Sequence, residues 1–269
     1  NAGFVTEFGS DYNRSFIRKI NQPGVLAGVQ GTNSDAFGNV FFCALTTSRV
    51  CRVDAVTGAL KCVSNETIPQ IINPFDVDVD SENNVWVMDA NAKTYPGYAV
   101  KLTNNLDFIF AKQLPPPSPS VSDENLPGTG GKAIVVDAHD NAWTANWRAN
   151  SVSAFTSQGH ELPGSPFPVL GPWGLSLDGR ENIWAAGFGA PLTDDGHSVY
   201  HLCGAVSPDC VTGQLLSPTA GWGRHNKVLQ RLVDAQVASS GALWVSNNWK
   251  RQPTPPSNPG GNGMVVFPG

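Results

Sequence analysis

Asp80-Ser81-Glu82-Asn83-Asn84-Val85-Trp86 is the stretch that decides the fold: an apolar strand ends at the Asp, a polar turn follows, and a second strand opens near the Trp. The pattern of an Asp, an Asn four residues later and an aromatic residue two further on returns at Asp35, Asp137 and Asp178. A fifth copy keeps Trp244 but has Ala238 in place of the Asp. Repeats about 40–60 residues long that each hold several strands are typical of a β-propeller.

Composition agrees with an all-β chain. The 269 residues include 28 Gly and 21 Pro, and only 14% are charged, which suits short strands joined by many turns. We therefore predict one β-propeller domain over residues 1–269, built of four-stranded blades. Its N-terminal closing strands lie within residues 3–20, and its five recognisable repeats span about 22–65, 66–115, 130–168, 169–217 and 228–269.

Ring closure is left open by the sequence. The last repeat ends after its third strand, so the N-terminal strand is predicted to supply the fourth, since pairing of the termini removes an open sheet edge. The same pattern also allows six blades, one of them incomplete. Third strands are predicted at 98–102, 151–155, 198–202 and 263–267, where apolar and polar residues alternate.

The charge and hydropathy patterns exclude two classes of partner. The net charge is −5 and Lys and Arg do not cluster, which argues against nucleic-acid binding. No apolar run is long enough to span a membrane. We expect a monomer.

The cysteines predict two disulfides. Cys51 and Cys62 face each other across a hairpin that turns at 55–58, and Cys203 and Cys210 close a short loop. Cys43 is left as a buried thiol. Two bridges favour an oxidising compartment, so we predict a secreted protein, extracellular or periplasmic. The chain begins at Asn1 with neither Met nor a signal peptide, as expected of a processed product. Glycosylation at the sequons of Asn13 and Asn65 is left open.

The repeated Asp and Asn residues have a structural explanation. An Asp at the end of a strand caps the following turn, and an Asn tolerates a left-handed backbone conformation there. One copy per blade spreads these residues around the rim, away from any single point. The aromatic residue at the start of the second strand is predicted to pack between blades.

The repeat units resemble NHL-type propeller repeats, shared with streptogramin B lyase-like and gluconolactonase-like proteins. The resemblance covers residues 22–269 and implies a propeller. It also implies, as an alternative function, a lyase or lactonase that uses a divalent metal, Ca²⁺ or Mg²⁺, in the central pocket. The lyase site motif does not carry over, because the nearest combination, His160-Glu161, has the reverse order.

The favoured function is ligand binding on one face of the ring. In such propellers the loops between second and third strands share a face with the loops that lead into each blade. Two of the former pair a Trp with an amide and a cation, which suits a small molecule, a glycan or a protein ligand. The predicted ligand-binding residues are Asn146, Trp147, Arg148, Asn247, Trp249 and Lys250. Trp173 and Trp222 lie in loops of the same face.

The enzymatic alternative places its chemistry in the same pocket. Asp89, Asp194 and His197 are the candidate acidic and basic groups, and Asp89 with Asn91 are the candidate metal ligands. A third alternative is a scaffold that binds proteins through its rim.

Overall fold

The computed structural model describes residues 5–8, 16–90, 96–118, 130–189, 197–223, 229, 231–249 and 263–268; for 5–8, 16–18, 248 and 249 it describes the backbone alone. Within these ranges the regular secondary structure is β-strand, apart from two short 3-10 turns at Leu45–Thr47 and Trp147–Ala149. The prediction of an all-β chain of repeated antiparallel sheets is confirmed. No helix in this part of the chain is long and apolar enough to cross a membrane.

Five antiparallel sheets follow one another along the chain. We call them blades I to V. Blade I holds β3 (Val29–Ser34), β4 (Val40–Ala44), β5 (Arg49–Val53) and β6 (Leu60–Ser64). Blade II holds β7 (Pro74–Val79), β8 (Val85–Asp89), β9 (Tyr98–Leu102) and β10 (Phe108–Gln113). Blade III holds β11 (Gly131–Val136), β12 (Ala142–Asn146), β13 (Ser151–Phe155) and β14 (Phe167–Pro168).

The last two blades have three strands each in the described residues. Blade IV holds β15 (Pro172–Leu177), β16 (Ile183–Gly187) and β17 (Val199–Leu202); blade V holds β18 (Arg231–Val237), β19 (Leu243–Trp249) and β20 (Gly263–Phe267). A bridge from Leu202 to Leu215 extends blade IV. The four predicted third strands are found, to within one residue.

The N-terminal strands β1 (Val5–Phe8) and β2 (Phe16–Ile20) form a separate two-stranded sheet. Ile20 packs with Leu26 on blade I beside Phe42 and Val53. No ladder between β1 and β20 occurs in the described residues. Completion of blade V by the N-terminal strand therefore stays a prediction.

The first strand of each blade lies nearest the centre, and we call these five the inner strands. Each contacts the inner strand of the next blade, from β3 to β7, β11, β15 and β18. The faces between blades bury the aromatic residues of the repeat, since Phe41, Trp86 and Trp143 are fully buried. Trp244 in blade V is instead 42% exposed.

The repeated Asp organises the turn after each inner strand, as predicted. Asp80 Oδ1 accepts hydrogen bonds from the amides of Glu82 and Asn84, at 3.1 and 2.7 Å. The role predicted for the Asn is wrong. The left-handed residue is the one before it, for example Asn83 with φ 63°. Asn84 instead donates its side-chain amide to Asp80 Oδ2 at 3.2 Å, which ties the two ends of the turn together.

The left-handed residue also links neighbouring blades. Its side chain accepts the amide proton that follows the Asp of the preceding blade: Asn83 from Ala36, Asp140 from Ser81 and Glu181 from Ala138, at 2.8–3.0 Å. Gly241 occupies this position in blade V and has no side chain to continue the series. A cavity of about 630 Å³ lies between blades IV and V where this link is missing, beside Gly179 and Gly241.

Both predicted disulfides are present. Cys51 and Cys62 are directly paired residues of β5 and β6, and Cys203 bonds to Cys210 seven residues on. Cys43 is a free and buried thiol. The disulfides agree with an extracellular location.

Candidate functional site

The inner strands surround a cavity of about 400 Å³, and all five contribute to its lining. Blade I supplies Gln30 and Gly31, and blade V supplies Val233 and Asp234. The three blades between supply the rest of the lining: Phe75, Asp76, Lys132, Ala133, Trp173, Gly174 and Leu175. This volume is in the range of small-molecule sites.

A bulge in every inner strand explains why adjacent residues both reach the cavity. The ladder between first and second strands shifts register near the start of the inner strand in all five blades, for example between Pro74 and Asp76 and between Pro172 and Gly174. In a regular strand, neighbouring side chains point to opposite faces. A bulge leaves one residue unpaired and re-aims its side chain. Phe75 and Trp173 are such residues. In blade III the ladder leaves two residues unpaired, Lys132 and Ala133.

Lys132 is the distinctive group of the cavity. Its Nζ lies 4.3 Å from the centre of the Phe75 ring, 4.2 Å from that of Trp173 and 5.5 Å from that of Trp147. Neither a hydrogen bond nor an ion pair joins it to any described residue. Burial lowers the pKa of Lys132 to about 8, and the charge of Arg148 acts in the same direction. The aromatic rings attract the charged form, but they offer no lone pair to the ammonium protons.

An aromatic cluster holds this lysine in place. Trp173 stacks on Phe188 with ring centres 4.1 Å apart, and Trp147 lies 5.2 Å from Trp173 and 5.6 Å from Phe188. Trp147 also donates its indole proton to the Gly189 carbonyl at 2.9 Å. Two further cations lie over rings of the cluster, Arg148 over Trp147 and Arg231 over Phe188. The loop end of the cavity is therefore aromatic and positively charged.

Carboxyl groups lie further along the inner strands. Burial raises the pKa of Asp76 to about 7, although its side chain accepts a hydrogen bond from the Ile134 amide at 3.1 Å. Burial also raises the pKa of Asp78 to about 6 and the pKa of Asp234. Asp78 accepts from the Val136 amide at 2.7 Å and from the side chain of Asn33.

Gly31 is required beside Asp76. A Cβ atom at Gly31 would overlap Asp76 Oδ1, so the small residue in blade I makes room for the carboxyl group of blade II. Asp76 thus touches blade I and bonds to blade III, and it joins three consecutive inner strands.

The structure brings part of the predicted ligand-binding set together. Trp147 and Arg148 lie at the aromatic cluster, but both are buried, with 7% and 4% of their surface exposed. Asn146 is fully buried and donates to Ser153 Oγ at 2.8 Å, inside blade III. Asn247 is buried in β19. The side chain of Trp249 and all of Lys250 lie outside the described residues.

Two of the four enzymatic candidates, Asp89 and His197, lie within the described residues. Asp89 is fully buried, and its Oδ2 accepts the amide protons of Ile72 and Asn73 at 2.6 and 2.8 Å, which fixes the lead-in to β7. His197 is buried and lies two residues before the start of β17. Asn91 and Asp194 lie outside the described residues. No three potential metal ligands converge within the described ranges. The divalent ion implied by the resemblance therefore stays a prediction.

Substitution Trp147→Phe is expected to lower the free energy of unfolding by about 1–2 kcal/mol. The ring packing largely survives, whereas the Gly189 carbonyl loses its buried donor. Urea denaturation of the two proteins measures the difference. An unchanged midpoint would contradict a structural role for the indole proton.

Comparison with known proteins identifies the fold. No protein-family model and no curated protein matches the sequence. Among solved structures, selenomethionine-substituted virginiamycin B lyase from Staphylococcus aureus matches with a TM-score of 0.61 at 13% identity, over 96% of this chain and 75% of that one. The chain shares the β-propeller fold of this structure. A streptogramin B lyase structure matches with a TM-score of 0.59 at 15% identity, over 100% and 73% of the two chains. The catalytically inactive H270A virginiamycin B lyase with quinupristin matches with a TM-score of 0.61 at 11% identity, over 100% and 89%. At such identities the likeness concerns the fold alone.

Sequence reasoning missed Lys132, Phe75 and Asp76. A usable signal was present, because the lead-in to each inner strand repeats around Pro74, Gly131 and Pro172. Five residues before the repeated Asp, or before Ala238 in the fifth repeat, stand five different residue types: Gln30, Phe75, Lys132, Trp173 and Val233. Structural positions of a repeat keep their residue type, so a position that varies in this way is a candidate for function.

Proposed function

We propose that this protein is a secreted propeller that binds a small organic anion in its central cavity, at the loop face. The observation that carries the proposal is the Lys132 ammonium group, which is largely buried and has no acceptor in the described protein. A buried charge without a partner is costly, and an anionic ligand would supply the partner. Trp147 and Trp173 would border the ligand while holding Lys132.

The distribution of charge refines the ligand class. Arg148 and Arg231 flank the cluster at the same end as Lys132, whereas Asp76, Asp78 and Asp234 lie further along the inner strands. An anionic group is therefore favoured at the loop end and hydrogen-bond donors at the other. A ligand with one acidic group and a compact, partly apolar body fits both this polarity and the cavity volume.

Binding of benzoate compared with benzamide tests the proposal. The two molecules have nearly the same shape, and only benzoate carries a charge. We expect benzoate to bind more tightly, and Lys132→Met to weaken benzoate binding about 10- to 100-fold, as for a charged hydrogen bond. Tryptophan fluorescence titration gives the affinities.

Lys112→Met is the matched control. Lys112 also lies over an aromatic ring, that of Phe110 at 5.5 Å, but it does not line the cavity. Equal affinities for benzoate and benzamide, or equal losses in the two lysine variants, would contradict the proposal.

An enzymatic function in the same cavity is the second candidate. It is favoured by the presence of two groups, Lys132 with a pKa of about 8 and Asp76 with a pKa of about 7, that change protonation near neutral pH. Such groups are common in acid–base catalysis. Assays of lactone hydrolysis and lyase activity, with and without added Ca²⁺ or Mg²⁺, test it; activity that survives Lys132→Met and Asp76→Asn would place the chemistry elsewhere.

A further inference from the structure

We infer that Lys132 is a nucleophilic amine that condenses with an aldehyde admitted to the central cavity, forming an imine. The inference rests on the proposed function only in using the same cavity and its preference for an anionic group. It concerns covalent chemistry, which reversible binding of an anion does not require.

The geometry favours attack by this amine. Phe75 and Trp173 border Nζ at 4.3 and 4.2 Å, measured to the ring centres, and the side chain lines open space in the cavity. Nζ is held by rings alone within the described residues, so no hydrogen bond to a carboxylate or carbonyl must break before it reacts. Lys101 shows the opposite situation, since its Nζ lies 2.8 Å from Asp80 and donates to the Ser157 carbonyl at 2.9 Å.

Burial and one neighbouring cation favour the neutral form of the amine. Burial lowers the pKa of Lys132 to about 8 and the Arg148 charge adds to this, so roughly one molecule in ten carries the reactive free amine at pH 7. Arg231 is the other cation near the mouth, and Asp76, Asp78 and Asp234 are the acidic groups further along the inner strands. A lysine with an ordinary pKa near 10.4 would be neutral about two to three orders of magnitude less often.

The reaction balances without an oxidant or a metal. The Nζ lone pair attacks the carbonyl carbon, the carbon–nitrogen bond forms as the carbonyl π bond breaks, and one proton passes from the nitrogen to the oxygen to give a neutral carbinolamine. The hydroxyl group then takes up a proton and leaves as water, and the nitrogen loses its second proton, which yields the imine. Asp76, whose burial raises its pKa to about 7, is an acid within the same cavity that can supply a proton to the departing hydroxyl.

Reductive trapping with 4-formylbenzoate tests the inference. The intact protein is treated at pH 7 with this aldehyde and sodium cyanoborohydride, which reduces an imine to a stable amine, and peptide mass mapping locates the carboxybenzyl group. We expect at least about tenfold more label on Lys132 than on Lys61, Lys101 or Lys112 at short times. Excess benzoate should suppress the label on Lys132 selectively.

Two variants test the assignment of the label. Lys132→Arg removes the nucleophile, so the label at position 132 should be lost. Lys112→Arg should retain the label at Lys132. Label spread evenly over the lysines, with no excess at Lys132, overturns the inference. If benzoate binding still depends on Lys132 in that case, the proposed function stands; excess label at Lys132 without measurable benzoate binding would support the amine chemistry alone.

Discussion

Replacing Lys101 with methionine is expected to lower the free energy of unfolding by about 3–5 kcal/mol, the usual loss when one partner of a buried ion pair is removed. Lys101 and Asp80 have side chains only 5% and 1% exposed, and Nζ lies 2.8 Å from Asp80 Oδ2. Methionine keeps most of the volume and the contact with Trp86, so the loss reports the charge that stays behind on Asp80. Guanidinium denaturation with both chains at equal concentration measures it.

The other blades show why Asp80 needs this lysine. In each blade with the repeated Asp, its Oδ2 accepts a hydrogen bond from the Asn of the turn and interacts with at least one further donor, which is not the same in every blade. The Asn104 side-chain amide donates to Asp35 Oδ2 at 2.6 Å, and the Trp143 indole donates to Asp137 Oδ2 at 3.0 Å. His201 Nε2 lies 3.0 Å from Asp178 Oδ2. In blade II, Trp86 Nε1 has no partner within the described residues, and Lys101 takes the place of the indole.

The double substitution Lys101→Met with Asp80→Asn is the control. It removes the stranded charge, so a substantial part of the lost stability should return, because a neutral pair often replaces a buried ion pair at little cost. A single Lys101→Met variant within about 0.5 kcal/mol of the parent would contradict the assignment.

Much of the fold was predictable because it depends on local signals. The Asp at the end of an inner strand, its polar turn and the aromatic residue two positions after the Asn recur in the sequence, and each corresponds to a turn and a strand start. The Cys51–Cys62 bridge followed from hairpin register, since the turn fixes which residues face each other. Even here the conformational detail was wrong, because the left-handed position falls on Asn83 and its equivalents.

The site was less predictable because it depends on bulges. A regular strand would send Phe75 and Asp76 to opposite faces, and nothing in the local sequence of β7 marks the extra residue that turns both toward the cavity. The predicted Trp147 and Arg148 do lie beside the cavity, but the sequence did not show that both are buried and that Trp147 packs against Lys132 and Trp173. Asp89 looked like a catalytic carboxylate, whereas two backbone amides already occupy it.

Replacing Asp76 with asparagine is expected to stabilise the protein at pH 8 and to leave its stability nearly unchanged near pH 4. The pKa of Asp76 is raised by burial to about 7 in the folded chain. In the unfolded chain a carboxyl group titrates near 3.9. Between these two values the folded state binds more protons than the unfolded state, so stability falls as pH rises from about 4 to about 7. Above pH 7 both states are ionised and the loss is complete.

Asparagine removes this loss because it has no charge to bury. Its side-chain oxygen can still accept the Ile134 amide proton, and its size fits the space beside Gly31. The stability of the variant relative to the parent should therefore increase through pH 4–7 and level off above it. The stability difference that accumulates between the two pKa values amounts to about 4 kcal/mol, because each pKa unit corresponds to about 1.36 kcal/mol. A smaller slope should remain in the variant, since Asp78 and Asp234 also have pKa values raised by burial.

Urea denaturation at several pH values, with Asp209→Asn as the control, distinguishes this account from a simple packing effect. Asp209 is an exposed carboxylate in the Cys203–Cys210 loop, and its replacement should change stability by no more than about 0.5 kcal/mol at any pH. A difference between Asp76→Asn and the parent that is equal at pH 4 and pH 8 would show that the carboxyl group is not carried neutral into the folded state. A difference that grows with pH would show that the folded protein keeps the Asp76 carboxyl group protonated at pH values where a free carboxyl group is ionised. Groups with strongly shifted pKa values are common in binding sites. A ligand that donates a hydrogen bond to Asp76 would then bind more tightly above pH 7, where Asp76 is ionised, than below it.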